Sequence, residues 1–170
     1  NFPNVPHSLT RAEWPIAALR GKVDLVAGNP PCAPFSMAGS KLGLKDPRVQ
    51  FTHNVFNTAI ELQPDIFVIE SVPRAWSPNG GRALYESFAN QAYVEGYSTT
   101  ILLTNSVLHG AAQFRERFHF IAHRRKLTFP EPQLTKPHTV RDAIGDIEFV
   151  ALTEEEGARY QPPLKNHTYR

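Results

Sequence analysis

Short apolar runs alternate with segments of helical spacing along residues 1–129, and this order constrains the fold more than any other feature of the chain. The runs at 22–28 (KVDLVAG) and 65–71 (DIFVIES) contain several β-branched residues and end in turn-forming residues, which predicts two buried strands. Two further strands are predicted at 98–105 and 117–124.

Amphipathic helices are predicted at 49–64 and 80–97, where apolar residues recur every three or four positions. Pro64 closes the first helix, and Gly96 is placed as the stop of the second. Strands that alternate with helices of this length predict an α/β fold with a largely parallel sheet covered on both faces. In such sheets ligands bind at the carboxyl ends of the strands, so the ends of the first two strands should share one edge, here called the rim.

Length and composition indicate a single domain. The chain has 170 residues and a net charge of +2, which neither favours nor excludes a polyanionic partner. Its one cysteine excludes an internal disulfide, the seven histidines show no zinc-ligand spacing, and no apolar run could span a bilayer. We expect an intracellular, soluble, metal-free protein with an α/β domain over 1–129 and an extended proline-rich segment over 130–170.

Two reactive side chains are predicted on the rim. Cys32 follows the first strand, and Pro30 and Pro31 fix the backbone before it, which holds the thiol at a defined angle, as a nucleophile requires. A lone cysteine is more often a small buried hydrophobe, but this position argues against that interpretation. Glu70 ends the second apolar run; it is either an ordinary carboxylate at a strand end or a proton donor beside the thiol.

A basic row lies near the fourth predicted strand. If this segment is a strand, Arg117 and His119 point to one face while Phe118 and Phe120 point to the other. Together with basic residues of the loop after Cys32, the row forms either a solvated edge or a surface for phosphates and base edges. Its members are Arg115, Arg117, Arg124, Arg125 and Lys126, with Lys41 and Lys45 from the loop.

Five segments, in order and in register, resemble the cytosine-5 DNA methyltransferase family. They are PPCAPFS, AGSKLGLKDPR, ESVP, VEGYSTTILLTNSVLHGAAQFRER and TVRDAIGDI, which resemble in turn the Pro-Cys segment, the mobile loop, the Glu-Asn-Val motif, the stretch ending in Gln-x-Arg-x-Arg and the entry to the target-recognition region. The resemblance implies a Rossmann-like, S-adenosylmethionine-dependent methyltransferase sheet that is incomplete on its N-terminal, cofactor side.

The resemblance also implies a mechanism. Cys32 would attack carbon 6 of a cytosine that has been rotated out of double-stranded DNA, which makes carbon 5 able to accept a methyl group. Glu70 would hold the N3 and amine edge of the ring and protonate N3, while Arg117 would contact O2. Arg115 would support the loop or a phosphate.

The loop over 37–48 would close over the base, with DNA contacts from Ser36, Lys41, Lys45 and Arg48. Pro31 and Phe51 match positions that pack near S-adenosylmethionine in the family. A cytoplasmic setting in a prokaryote or a virus-infected host, with restriction-modification as one biological role, is what the resemblance implies.

The chain departs from the family at its start. It contains neither the glycine-rich turn nor the acidic residue that receive the cofactor, so we expect a fragment whose missing N- and C-terminal parts act in cis or in trans. Ser71 replaces the usual Asn beside the Glu, and a hydroxyl supplies only part of the hydrogen bonding of an amide.

Three other interpretations stay open. The GNPPC segment (28–32) is also similar to the Asn-Pro-Pro-aromatic motif of amino-methyltransferases, although Cys32 stands where those enzymes have an aromatic residue. A catalytically idle, DNA-binding or regulatory relative would explain the missing cofactor segments. A tRNA cytosine-5 methyltransferase would share the same residues.

Overall fold

The computed structural model of the protein describes residues 15–36, 42–128 and 137–144. Strand, helix, strand, helix, strand and strand follow one another from 25 to 123, as the sequence predicts. The elements are α1 (Ile16–Leu19), β1 (Leu25–Gly28), α2 (Val49–Leu62), β2 (Ile66–Ser71), α3 (Arg82–Val94), β3 (Ser98–Asn105), β4 (Glu116–His123) and α4 (Val140–Ile144). Strand β1 begins later than predicted because Lys22 still belongs to the turn after α1, where its N–H donates to the carbonyl of Leu19.

The four strands form one sheet in the order β1–β2–β4–β3. The pair β1 and β2 is parallel, whereas β4 is antiparallel to both β2 and β3. The prediction of an α/β fold is confirmed: β1, β2 and β3 run in one direction, and β4 is the one described strand that runs the other way. Only ten residues, 106–115, join β3 to β4, which is too short for a crossover helix, so β4 folds back and enters between β2 and β3.

The register of β2 and β4 separates an apolar face from a polar one. Ser71 lies opposite Phe118 and Glu70 lies opposite His119. Phe118, Phe120 and Ala122 are fully buried on the face that α2 and α3 cover. Glu70 and Arg117 therefore lie on the other face, because successive side chains of a strand alternate. On that face Leu25 of β1 is 57% exposed whereas Ile121 of β4 is 5% exposed, so the face is covered at β4 but open at β1.

Aromatic side chains fill the core between the sheet and the two long helices. Phe56 of α2 stacks on Phe88 of α3 at 4.1 Å between ring centroids, and Tyr85 meets Phe118 edge to face at 4.7 Å. Each such pair contributes about 0.5–1.5 kcal/mol beyond the area that it buries. The core thus joins α2, α3 and the start of β4.

The predicted helix stops are confirmed in position, but the first stop uses a residue that the sequence did not indicate. Gln63 adopts a left-handed conformation (φ 55°) just before Pro64, and its backbone N–H donates to the carbonyl of Ala59. Its side chain donates to the carbonyl of Ile60 and to Glu95, which holds this unfavourable conformation in place. Gly96, with φ 83°, ends α3 as predicted.

The proline-rich segment contains one helical turn that was not predicted. Thr139 and Asp142 cap α4 reciprocally: Asp142 accepts from the Thr139 backbone, and the Thr139 hydroxyl accepts from the Asp142 backbone. The Asp142 carboxylate accepts hydrogen bonds from both the backbone N–H and the hydroxyl of Thr139, and these two bonds lower the pKa of Asp142. The remainder of 130–170 lies outside the described residues, so the boundary near 130 stays a prediction.

Candidate functional site

The loop after β1 carries Cys32 to the rim. Gly28 ends the strand where α2 approaches so closely that an added Cβ would lie 2.3 Å from Cγ1 of Val55. Cys32 is partly exposed, with its Sγ 3.6 Å from the carbonyl oxygen of Pro30 and 3.9 Å from Oδ1 of Asn29. The thiol thus lies among polar atoms at the surface and is not packed as a buried hydrophobe.

The Cys32 loop is anchored by Phe35, which sequence reasoning did not single out. Phe35 is 1% exposed and belongs to the aromatic core. Its ring rests on the backbone of Gly81 at the start of α3, where an added Cβ would lie 2.8 Å from Cε1 of Phe35 and 2.8 Å from the carbonyl oxygen of Ala75. A phenylalanine shortly after the prolines was the available signal that the loop turns back into the core.

Gly81→Ala is expected to displace the anchored loop and to lower the free energy of unfolding by about 1–3 kcal/mol, because neither the backbone oxygen nor the buried ring can give way freely. Urea unfolding measures the loss in free energy of unfolding, and the rate of Cys32 alkylation measures how far the displaced loop changes the accessibility of the thiol. Ala83→Ser, at an exposed position two residues later, is the matched control. Equal stability of the Gly81 and Ala83 variants would show that Phe35 does not anchor the loop in this way.

Glu70 and Arg117 form an ion pair on the rim. Nε of Arg117 lies 2.6 Å from Oε1 of Glu70, and the two side chains are 22% and 21% exposed. The guanidinium also donates to the carbonyl oxygen of Glu116, which fixes it from a second side. The other carboxylate oxygen, Oε2 of Glu70, is buried and has no hydrogen-bond partner in the described structure. Oε2 of Glu70 is therefore available to accept a hydrogen bond from a ligand.

Cys32 and Glu70 lie on the same rim because β1 and β2 are parallel with Gly28 opposite Ile69. Arg117 reaches this rim from the opposite direction, since an antiparallel strand begins where its neighbours end. Three strands thus bring together the thiol, the carboxylate and the guanidinium that the sequence indicated. Their catalytic roles stay predictions.

Arg115 lies in the connection before β4 and is exposed. Its backbone N–H donates to Oδ1 of Asn105, which also accepts from the backbone N–H of Val107. Asn105 therefore organises the connection that presents Arg115. An asparagine at the end of a predicted strand signals such a turn, but sequence reasoning passed over it.

The basic row does not form one surface. Arg124 and Arg125 lie at the other end of β4, away from the rim. There Arg124 covers the ring of Tyr97 at 4.3 Å, and Arg125 pairs with Asp65 at 2.7 Å. Arg124 and Arg125 thus lie away from the rim and contact other residues of the chain. The interpretation of the row as a single nucleic-acid surface was therefore wrong.

The residues predicted to contact DNA from the loop are only partly described. Lys41 lies outside the described residues. Ser36 is half-buried at the end of the Cys32 loop, and Lys45 is exposed in a short helical turn at Gly43–Lys45. Arg48 forms two hydrogen bonds to the buried carboxylate of Asp46, at 2.9 and 2.7 Å, which raises the pKa of Arg48. Their contacts with DNA stay predictions.

Pro31 and Phe51 were predicted to face the cofactor. Pro31 is exposed in the Cys32 loop, and Phe51 lies on α2 with 51% of its surface exposed. An exposed aromatic ring on an otherwise well-packed helix suits a flat ligand such as an adenine ring. Both residues are accessible in the described structure, and their place near S-adenosylmethionine stays a prediction.

Tyr85 packs against Phe118, the residue after Arg117 on β4, and was not singled out by sequence reasoning. It is fully buried, and its hydroxyl forms no hydrogen bond of normal geometry in the described structure. Burial raises the pKa of Tyr85; the nearby Ser71 hydroxyl opposes this shift, while negative charge on Cys32 and Glu70 adds to it. We regard the approach of Ser71 as a polar contact short of a hydrogen bond.

Tyr85→Phe is expected to flatten the alkaline limb of stability. Because the pKa of Tyr85 is raised in the folded state, the hydroxyl ionises first in the unfolded state, from about pH 10 upward. The contribution of Tyr85 to the free energy of unfolding is therefore complete below pH 10 and declines above it by about 1.4 kcal/mol per pH unit. At pH 8 the substitution should be nearly neutral, since the hydroxyl lacks a partner. Urea unfolding at pH 8 and pH 10.5 measures both effects. The control is Tyr93→Phe at a 78% exposed position, and an equal pH slope in both variants would contradict the prediction.

Among the described residues no three His, Cys, Asp or Glu side chains are grouped as metal ligands. No described helix has both the length and the apolar composition needed to cross a bilayer.

Two known type II methyltransferases are similar to this chain. Type II methyltransferase M1.HphI of Haemophilus parahaemolyticus is 39% identical over an alignment of 129 positions that covers 73% of this chain and 34% of that protein. Type II methyltransferase M.AquIA of Picosynechococcus is 28% identical over an alignment of 179 positions that covers 87% of this chain and 71% of that protein. The chain thus spans about a third of the first relative and most of the second.

The chain is also similar to a solved structure and matches a protein-family model. The crystal structure described as a DNA modification methyltransferase encoded within an Escherichia coli prophage has a TM-score of 0.58 at 23% identity and covers 83% of this chain and 43% of that chain, which shows the shared fold. The model of the C-5 cytosine-specific DNA methylases matches residues 1–167. The chain therefore belongs to the C-5 cytosine-specific DNA methylase family.

Proposed function

We propose that this chain carries the catalytic half of an enzyme that transfers a methyl group to carbon 5 of cytosine in double-stranded DNA. The observation that carries the proposal is the paired but half-open carboxylate of Glu70: Arg117 binds Oε1 at 2.6 Å, while Oε2 stays buried and unpartnered on the rim that also carries Cys32. Such a carboxylate can bind the polar edge of a flat ring while the Cys32 thiolate attacks a carbon on the opposite edge of that ring.

The residues act in sequence on a cytosine that has left the base stack. The Cys32 thiolate forms a bond to carbon 6, and the electron pair of the 5,6 double bond becomes available at carbon 5. Glu70 binds the N3 and amine edge and supplies the proton to N3, so that the ring carries no net negative charge. Arg117 holds Glu70 and binds the O2 edge.

S-adenosylmethionine, when bound, supplies the electrophilic methyl group, and Pro31 and Phe51 are the described residues that would pack against it. After methyl transfer a base removes the carbon 5 proton, the double bond re-forms, and the Cys32 thiolate leaves carbon 6. The half-buried position of Cys32 between polar atoms permits both the attack and the departure.

The proposal also extends to the parts of the enzyme that this chain lacks. S-adenosylmethionine binding and base recognition would need the glycine-rich turn and the target-recognition region, supplied in cis or in trans. Titration calorimetry of S-adenosylmethionine into the 170-residue chain is therefore expected to show no binding at physiological concentrations. Binding at such concentrations would contradict the incomplete cofactor site.

The test is covalent trapping with the complete protein and S-adenosylmethionine. A DNA duplex with 5-fluorocytosine at the target position should form a denaturation-resistant adduct, because fluorine at carbon 5 cannot leave as a proton does. Peptide mapping should locate the adduct on Cys32, and Cys32→Ser should form none. A tRNA with 5-fluorocytosine is the parallel acceptor.

Each outcome decides between the candidate functions. An adduct on DNA supports the proposal, and an adduct on tRNA alone assigns the enzyme to RNA. N4-methylcytosine without an adduct indicates an amino-methyltransferase. Neither an adduct nor a methylated product on either acceptor contradicts an enzymatic role and favours the idle, DNA-binding relative.

A further inference from the structure

Two buried polar atoms without hydrogen-bond partners belong to directly opposite residues of β2 and β4. They are Oε2 of Glu70 and Nδ1 of His119. Glu70 and His119 are directly opposite in the antiparallel register, and such residues have Cβ atoms about 4.5–5.5 Å apart on one face of the sheet. A buried donor or acceptor that stays unpaired destabilises the fold, so two of them on opposite residues point to a shared purpose.

The neighbours of His119 leave Glu70 as its polar counterpart. On the β3 side the register partner of His119 is Leu102, which offers no side-chain polar atom. Along β4, the adjacent residues on the same face are Arg117, which already binds Oε1 of Glu70, and Ile121. No other titratable side chain lies directly opposite His119 in the register of the described strands.

We propose that His119 is a positioning residue for Glu70: its Nδ1–H donates to Oε2, directly or through one shared water molecule, and holds the carboxylate opposite Arg117. The inference rests on the proposed function, because it assigns His119 a role in presenting Glu70 to the cytosine edge. In this contact Nδ1 carries the proton and Oε2 accepts it. The proton that Glu70 passes to N3 is a separate one, which the carboxyl group takes up from water before the base is attacked.

The Glu70 carboxylate can still accept a hydrogen bond from the base. Each carboxylate oxygen has two lone pairs, so Oε2 can accept from His119 and still receive the exocyclic amine of cytosine. With Arg117 on Oε1 and His119 at Oε2, the plane of the carboxylate is fixed before the base arrives. Such preorganisation lowers the cost of aligning the reacting groups.

Two substitutions separate positioning from packing. His119→Asn keeps a hydrogen-bonding nitrogen near the place of Nδ1 but loses volume, whereas His119→Phe keeps the ring volume and loses both nitrogens. A positioning role predicts that kcat falls about tenfold to a hundredfold in the Phe variant and by no more than about threefold in the Asn variant. The KM for S-adenosylmethionine and the Kd for DNA should change less than about twofold in both. A purely structural role predicts the reverse order, because Phe fills the site better.

A spectroscopic measurement tests the contact without any turnover. The ¹⁵N chemical shift of His119 Nδ1 should change on Glu70→Gln and stay constant on Glu116→Gln, an exposed position on the same strand whose side chain points to the other face. An unchanged shift in the Glu70 variant, or a Phe variant as active as the Asn variant, would overturn the inference. If the wild-type protein formed no adduct at all, the proposed function would fail while the ¹⁵N measurement would still decide whether His119 holds Glu70.

Discussion

Cys32→Ser is expected to abolish methyl transfer, with a loss of about four orders of magnitude or more, while DNA binding changes little. A serine hydroxyl is not ionised near neutral pH and is a far weaker nucleophile toward carbon 6 than a thiolate. The substitution fits the site because the side chain is partly exposed and Phe35 anchors the loop independently.

Single-turnover methyl transfer and fluorescence anisotropy on the same duplex measure the two effects on Cys32→Ser. The matched control is Ala33→Ser, which adds a hydroxyl one residue further along the same loop and should keep most of the activity. Methylation by the Cys32 variant at a rate near that of the wild type would end the covalent mechanism.

Arg117→Ala is expected to lower kcat about 10²–10³-fold, because Oε1 of the half-buried Glu70 carboxylate would lose its partner and the O2 edge of the ring would lose its donor. Arg117→Lys should recover only part of the loss, since an ammonium cannot reproduce the planar fork of a guanidinium. In a double-mutant cycle, Glu70→Gln and Arg117→Ala together should cost little more than the worse single variant, as residues that act as one unit do.

The chain offers a matched control for Arg117. Arg125 also pairs with a carboxylate, that of Asp65 at 2.7 Å, and joins the same two strands at their other end. Arg125→Ala removes the same type of pair without touching the rim, so methyl transfer should be unchanged. Comparable losses from both variants would mean that Arg117 acts through stability alone, and urea unfolding of the two proteins would show this directly.

The sequence allowed the elements and the separate site residues to be predicted, because the signals for them are local. The apolar run before Glu70, the spacing of apolar residues in α2 and the stop at Gly96 each depend on neighbouring residues only. The same holds for Cys32, whose place after β1 follows from the glycine and prolines around it.

What could not be predicted depends on contacts between distant segments. The insertion of β4 between β2 and β3 follows from a short connection together with hydrogen bonds to two strands, which no periodicity reveals. The grouping of Arg124 with Arg117 was wrong because the two lie at opposite ends of one strand. The contact of Phe35 with Gly81 and the register of Glu70 with His119 required the tertiary structure.

The strict alternation along β4 has a consequence for building chimeric enzymes. Arg117 belongs to the rim and Phe118 to the aromatic core, and the same strand segment fixes both. A crossover point inside 116–123 that shifts the segment by one residue would exchange them, and a guanidinium would enter the hydrocarbon while a phenyl ring faced the ligand. Recombination with relatives should therefore transfer this strand as an undivided cassette, with junctions in the 106–115 connection or after His123.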